Sequence, residues 1–310
     1  MSADLVDRVD DYLVLRRGLG FKLDRVELLL GQFLDHLAAA GQAGRFSTEQ
    51  AIEWATAPQA SPGWHRQRLC AVRGFARYLH AFDPSQPVPP PDVLTGGPRR
   101  AVPYLYSERD IEALMNAVGT LRGPFRQHTY AALIGLLAVT GMRVGEAIRL
   151  DTTDVDLTDG VIRVRHTKFD KSRLVPLHDT TTRALAVHLR ARRGCPTPPS
   201  SPALFLSPAG TRLIACNVGS TFRILLGRAG LNPGVGRCRP RMHDLRHSFA
   251  VATLLDAYRH DTDPAATIAV LSTYLGHVDP KATYWYLHAA PELLARAAHR
   301  LEHPDDEMKR

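Results

Sequence analysis

The sequence predicts a mainly helical fold that includes one small antiparallel β-sheet. Apolar residues recur at helical spacing through most of the 310-residue chain, as they do over 28–37. The period changes to alternation over 161–165 and again over 173–177, which is typical of strands. Residues 166–172 between these segments predict a hairpin loop, so we expect the two strands to pair antiparallel.

A segment rich in proline and glycine, 84–103, predicts a linker between two domains. Proline removes backbone donors and glycine interrupts helices, so neither neighbouring helix is expected to continue through it. We therefore expect a helical domain over 1–83 and a second domain, of α+β class, over 104–310. A chain of this length is long enough for two hydrophobic cores.

The charge balance favours a polyanionic partner. Lys and Arg number 39 against 31 Asp and Glu, which gives a formal net charge of +8 and a pI near 9.6. An excess of this kind points first to nucleic acid. None of the four cysteines forms a C-x-x-C pair, as expected for free thiols in a reducing cytoplasm. The N-terminus does not resemble a signal peptide and no apolar run approaches the ~18 residues of a membrane span, so we expect a cytoplasmic protein without membrane contact.

Five arginines are candidate contacts to a phosphate backbone. The predicted helix 64–82 carries Arg66, Arg73 and Arg77 on one side, away from its apolar residues. Arg99 and Arg100 form a small basic patch in the predicted linker. A solvated helix face explains the helical stripe equally well, and both interpretations stay open.

The segment 140–150 contains the first candidate for chemistry. Arg143 follows Gly141 where a helix is expected to begin, so its guanidinium would add to the positive helix end and suit a phosphate. The alternative is a surface arginine that pairs with Glu146, three residues later.

The hairpin loop supplies a candidate proton donor. Lys168 or Lys171 could reach from the loop into a cleft. Neighbouring cations would lower a lysine pKa of about 10.4 toward the range that is useful for proton transfer. An ordinary charged hairpin tip is the alternative interpretation.

Three further motifs follow toward the C-terminus. His243 and Arg246 are three residues apart on a predicted helix, so both project from one face and could hold a phosphate and handle a proton. His277 follows a glycine at a helix end, where it could donate to a phosphate or cap its own helix. Tyr286 stands among Trp and Leu, a setting in which tyrosines usually belong to a core, as we expect for Tyr284.

Taken in order, these motifs resemble the tyrosine recombinase (phage integrase) family from about 104 to 301. Thr140-Gly-Met-Arg143 matches the first family motif, and 171–177 matches the strand that follows the catalytic lysine. Leu275-Gly-His277 precedes Tyr286 at the family's spacing. The segments 271–277 and 283–287 are similar to those of integrases on transposons and other mobile elements. The first domain resembles the family's core-binding domain in its helical pattern.

The resemblance implies a site-specific DNA recombinase or integrase that needs no metal, cofactor or ATP. Tyr286 would be the nucleophile and would form a 3′-phosphotyrosyl intermediate. Lys168 would protonate the leaving oxygen, and His243 is the candidate base. Positive charge and hydrogen bonds to the phosphate would come from Arg143, Arg246 and His277.

The resemblance also implies partners. Double-stranded DNA would be clamped between the two domains, and four protomers would assemble on two duplexes. The predicted helix 291–301 would dock on a neighbouring protomer, although it could equally close its own domain. Sister recombinases and accessory proteins are further candidate partners.

The identity of the hairpin lysine and the function of the protein each have alternatives. The family often has glycines beside the hairpin lysine, whereas Thr167 and Phe169 flank Lys168 here, which leaves Lys171 as a rival. The functional alternatives are a DNA-binding protein of this fold that no longer cuts, a type IB topoisomerase and a metal-dependent nuclease. The non-cleaving protein is disfavoured because every matched catalytic position holds the expected residue type.

Overall fold

The computed structural model describes residues 5–42, 44–94, 102–165, 172–231, 238–260, 263–276, 283, 284 and 286. The chain divides into two compact units, Met1–Arg100 and Ala101–Arg310. Its described part is mainly helical with one antiparallel sheet, which confirms the predicted fold class. The exact limits of the two domains and of the linker stay a prediction. Within the described ranges, no helix is both long enough and apolar enough to cross a membrane.

The first unit is a bundle of four helices: α1 (Leu5–Gly18), α2 (Asp24–Ala39), α3 (Thr48–Thr56) and α4 (Pro62–Phe82). A capping box opens α3, because Ser47 and Gln50 each accept the other's backbone N–H. Ser61 caps α4, whose first residue is proline. Four aromatic rings contact one another in the core between the helices, where they bury large apolar areas. They are Phe33, Phe46, Trp54 and Phe75.

Part of the proline-rich segment packs onto this first unit. Arg73 donates from Nε to the carbonyl oxygen of Pro89 and from Nη2 to that of Pro90, each at 2.8 Å. The amide of Gln86 is buried and donates to the carbonyl of Phe46 at 2.9 Å. These bonds hold 86–90 against the four-helix bundle.

The second unit combines seven helices with a three-stranded sheet among its described residues. Strands β1 (Val155–Asp156), β2 (Val161–Val164) and β3 (Arg173–Pro176) lie in that order and pair antiparallel. The two predicted strands match β2 and β3, whereas β1 has two residues and too little pattern to be predicted. The helices are α5 (Glu108–Val118), α6 (Pro124–Thr140), α7 (Val144–Arg149), α8 (Asp179–Arg192), α9 (Ala215–Arg228), α10 (Asp244–Arg259) and α11 (Pro264–Leu275).

The core of the second unit lies between the sheet and helices α5, α6, α9 and α10. Ile162, Val164 and Val175 point into it from one face of the sheet, and each is nearly inaccessible to solvent. Leu174 points to the other face and is exposed, as the alternation of a half-buried strand requires. Helix α10 packs on α6 and α11, which brings the C-terminal ends of α6 and α11 together near the start of α10.

Gly141 joins α6 to α7 in a left-handed conformation, with φ of 59°, that L side chains rarely adopt. A Cβ atom at this position would lie 2.5 Å from Cδ1 of Phe249 and 3.2 Å from Cδ2 of Leu275. We expect Gly141→Ala to lower the free energy of unfolding by about 2–4 kcal/mol, because backbone strain and overpacking add. Urea denaturation measures this loss.

Gly230→Ala is the matched control for this prediction. Gly230 has φ of 72°, and a Cβ atom there would meet no atom within 4 Å. Only the backbone cost of about 1 kcal/mol is therefore expected. Equal losses in the two variants would show that the packing around Gly141 does not matter.

Candidate active site

The turn between α6 and α7 presents Arg143 at the N-terminus of a helix, as the sequence predicts. Arg143 is the N-cap residue of α7, with an extended backbone, and its N–H donates to Oε2 of Glu146 at 3.1 Å. Its side chain also pairs with Glu146, Nη1 to Oε1 at 2.8 Å, yet stays 37% exposed. Nη2 lies 3.4 Å from the carbonyl oxygen of Gly276. The helix-end position and the Glu146 pair, considered as alternatives from the sequence, therefore exist together.

Glu146 is a buried carboxylate that two arginines share. Arg173, the first residue of β3, donates to Oε2 from Nη2 at 2.7 Å and to Oε1 from Nη1 at 3.3 Å. Burial alone would raise the pKa of Glu146, but the hydrogen bonds and charges of Arg173 and Arg143 outweigh it and lower the pKa to about 2. The group is thus fully ionised at neutral pH.

Arg246 carries a deeply buried charge at this site, with 2% of its surface exposed. Its Nη1 donates to the carbonyl oxygen of Gly141 at 2.9 Å and its Nη2 to that of Leu275 at 2.8 Å. These acceptors are backbone carbonyls at the C-terminal ends of α6 and α11, where helices carry partial negative charge. Burial first, and the charge of Arg143 second, lower the pKa of Arg246 to about 10, so the guanidinium stays protonated at neutral pH.

Tyr286 is buried, with 2% of its surface exposed, and its environment is polar on one side. The side chains of Tyr286 and Arg246 are hydrogen-bonded. Its ring also packs edge-on against His247, with 5.2 Å between the ring centroids. Tyr284, by contrast, is 50% exposed, so the expectation that it belongs to the core is wrong.

Two histidines on successive turns of α10 complete the described part of the site. His243 is the N-cap residue of α10, and its ring centroid lies 4.9 Å from that of His247. Burial, followed by the charge of Arg246, lowers the pKa of His243. Burial and then the neighbouring His243 lower the pKa of His247 to about 4. Both rings are therefore uncharged at neutral pH, and His243 is able to accept a proton.

The structure brings four of the six predicted catalytic residues together. Arg143, His243, Arg246 and Tyr286 are linked by the contacts and charge interactions above. Lys168, its rival Lys171 and His277 lie outside the described residues. Sequence reasoning gave no role to Arg173 or His247. The only available signals were the position of Arg173 at the start of a strand and the adjacency of His247 to Arg246.

The predicted DNA-binding arginines differ in their surroundings. Arg77 is exposed and Arg66 is partly buried on α4. The guanidinium of Arg73 is bonded to the two proline carbonyls described above. Arg99 and Arg100 lie outside the described residues.

Comparison with known proteins shows the family to which the chain belongs. Residues 105–292 match the model of the phage integrase family. The chain is 43% identical over 301 residues to y4rB of Sinorhizobium fredii, which carries an integrase/recombinase designation, and the match covers 95% of this chain and 96% of the relative. It is 28% identical over 316 residues to tyrosine recombinase XerC of Mycobacterium sp. (strain JLS), covering 97% and 98% of the two chains.

A solved structure shows the same fold. The Tn1549 transposon integrase in complex with circular intermediate DNA superposes with a TM-score of 0.66 at 17% identity, covering 96% of this chain and all of that one (100%). The chain belongs to the phage integrase family and is a tyrosine recombinase. The resemblance drawn from the motifs, the enzyme class and the fold class are thereby confirmed.

The low pKa of His247 makes stability depend on pH. A histidine in the unfolded chain binds a proton near pH 6.5, whereas folded His247 stays neutral down to about pH 4. The unfolded state therefore gains protons first as the pH falls. We expect the free energy of unfolding to drop between pH 7.5 and 4.5, with His247 contributing on the order of 1–3 kcal/mol.

His247→Phe should remove this contribution while it keeps a ring against Tyr286. His260 is a matched control, because its side chain is 70% exposed, so His260→Gln should keep the wild-type slope. Urea denaturation at several pH values measures both. An unchanged slope in His247→Phe would contradict the prediction.

Proposed function

We propose that the chain is a site-specific recombinase that cuts and rejoins DNA through a 3′-phosphotyrosyl bond to Tyr286. The observation that carries this proposal is the hydrogen bond between Tyr286 and the buried guanidinium of Arg246, whose charge also interacts with that of Arg143. A phenol needs activation to attack a phosphodiester, because its ordinary pKa is about 10. Adjacent cations stabilise the negative charge of the transition state.

The transfer is balanced without an external energy source. The Oη atom of Tyr286 attacks phosphorus as the bond from phosphorus to the 5′ oxygen breaks. His243 takes the phenol proton, and Lys168 gives a proton to the leaving 5′ oxygen. The 5′-hydroxyl of another strand then attacks the phosphotyrosine and releases Tyr286, so the phosphodiester count is unchanged and no ATP is consumed. Arg143, Arg246 and His277 hold the nonbridging oxygens.

We propose double-stranded DNA as the partner and a tetramer as the active assembly. The net charge of +8 and exposed arginines such as Arg77 on α4 support contacts with phosphates. The Tn1549 integrase, which shares the fold, was solved in complex with DNA. The cytoplasm, where such DNA is accessible, is the proposed compartment.

The nucleophile can be tested with a suicide DNA substrate that traps the covalent adduct. We expect the wild type to form an adduct that survives denaturant and EDTA, and Tyr286→Phe to form none, because phenylalanine lacks the attacking oxygen. Tyr284→Phe is the matched control, since the neighbouring ring is exposed, and it should keep nearly full activity. An adduct that persists in Tyr286→Phe would remove this residue from the mechanism.

The same assay separates the functional alternatives. Joined ends from two different duplexes support recombination. Relaxation of supercoils without strand exchange would instead indicate a topoisomerase, binding without an adduct a non-cleaving protein, and loss of cleavage in EDTA a metal-dependent nuclease.

The hairpin acid can be identified by changing the leaving atom. Lys168→Ala should slow cleavage of normal DNA by about 10²-fold or more, whereas Lys171→Ala should have a small effect. A substrate with sulfur in place of the 5′ oxygen should restore cleavage by Lys168→Ala, because a thiolate leaves without a proton. Rescue of Lys171→Ala instead would transfer the acid role to that residue.

A further inference from the structure

Arg173 joins three segments that carry site residues. It opens β3, directly after the hairpin that contains Lys168, and pairs with Val164 across the sheet. Its guanidinium forms two hydrogen bonds to Glu146, at 2.7 and 3.3 Å. The same group lies 3.1 Å from the place that a Cβ atom would take at Gly276, the residue before His277. The side chain is only 13% exposed.

The negative charge of Glu146 opposes the positive charge of Arg143, and Arg173 compensates for it. The carboxylate is 3% exposed and lies 2.8 Å from Nη1 of Arg143. A single carboxylate at this distance, shielded from water, would cancel most of the positive charge that Arg143 offers to a phosphate. With the second guanidinium of Arg173, the three groups together keep one net positive charge.

We propose that Arg173 is a positioning residue for recombination, which neutralises Glu146 so that Arg143 keeps its positive charge for the scissile phosphate. The inference rests on the proposed function and deepens it. In this proposal Arg173 acts through Glu146 and does not itself contact DNA. Arginine suits this position because its planar fork meets both carboxylate oxygens at once, which a lysine ammonium does not.

The surroundings of Glu146 single out Arg173 for this role. From α10, Arg246 also acts on Glu146 by its charge, but its guanidinium is hydrogen-bonded to two backbone carbonyls and to Tyr286. The other charged residues lining the adjoining cavity are Arg149, Asp151, Asp154, Arg165 and Arg212. In this set Asp151 is paired with Arg212 and Asp154 with Arg165, each at 2.6 Å.

Gly276 leaves the space that the Arg173 guanidinium occupies beside Glu146. Its φ of 67° is left-handed, and the absence of a side chain leaves room for the Arg173 guanidinium. The carbonyl oxygen of Gly276 is also 3.4 Å from Nη2 of Arg143. The two arginines therefore both bind one carboxylate and both lie next to Gly276.

A double-mutant cycle on the rate of adduct formation tests the proposal. Arg173→Gln should slow the reaction by at least about tenfold, because Glu146 then cancels the charge of Arg143. Arg173→Gln combined with Glu146→Gln should recover most of that loss, since it restores one net positive charge. Arg173→Lys should fall between Arg173→Gln and the wild type. A double variant as slow as Arg173→Gln, or slower, would overturn the inference.

Arg212→Gln is the matched control, because it removes another arginine–carboxylate pair of the same unit. Among the described residues, the Arg212 guanidinium bonds to Asp151 and to two backbone carbonyls, and not to Glu146 or Arg143. This variant should cleave at a rate within about threefold of the wild type, since surface-accessible pairs of this kind contribute little. A tenfold loss in this control would show that any arginine pair has the same effect, and would overturn the specific role of Arg173.

A second measurement does not depend on cleavage. Glu146 has a folded pKa of about 2 against its ordinary 4.5, so its contribution to stability is present above pH 5 and lost as the pH falls toward 2. The loss between pH 6 and pH 3 should be smaller in Arg173→Gln, where the carboxylate is less well held. Equal losses in the two proteins would overturn the inference, whereas an absent adduct in the wild type would overturn the proposed function alone.

Discussion

The site depends on one buried charge, the guanidinium of Arg246. A cation with 2% exposure is costly to desolvate, and the structure compensates with carbonyl oxygens at two helix ends, those of Gly141 and Leu275. These bonds tie α10 to the ends of α6 and α11. In the sequence, Arg143 follows the end of α6 and His277 follows the end of α11. The hydrogen bonds of Arg246 therefore hold together the chain segments that precede these two residues.

Glycine makes this convergence possible at both helix ends. Gly141 and Gly276 each follow a helix in the left-handed conformation, which reverses the chain sharply. Each also lacks the Cβ atom that would meet a neighbour, Phe249 in one case and Arg173 in the other. At both turns glycine is therefore required for the left-handed backbone and for the close packing of a neighbouring side chain. Fixing a flexible glycine costs conformational entropy, which the surrounding contacts offset.

The sequence was sufficient for features that are local. Hydrophobic period predicted the helices, and alternation predicted β2 and β3. The resemblance of the motifs to a known family predicted Arg143, His243, Arg246 and Tyr286 as one group, and the structure brings them together. The roles of Arg173 and His247 depend on contacts between distant segments, such as the bonds between residues 173 and 146. No local pattern contains that information, so a single sequence could not predict it.

The guanidinium of Arg246 has enough N–H donors to bond both the helix-end carbonyls and the buried Tyr286. A guanidinium has five N–H donors, and in Arg246 two hydrogen bonds to carbonyl groups use one on each terminal nitrogen. The remaining donors are available to Tyr286 and, in the proposed mechanism, to the scissile phosphate. On that proposal the same guanidinium contacts the attacking oxygen and the phosphate at once, which would align the two reacting groups and restrict their motion before the bond forms. A lysine at 246 could not do so, because its three donors would be used by the two carbonyls and the tyrosine.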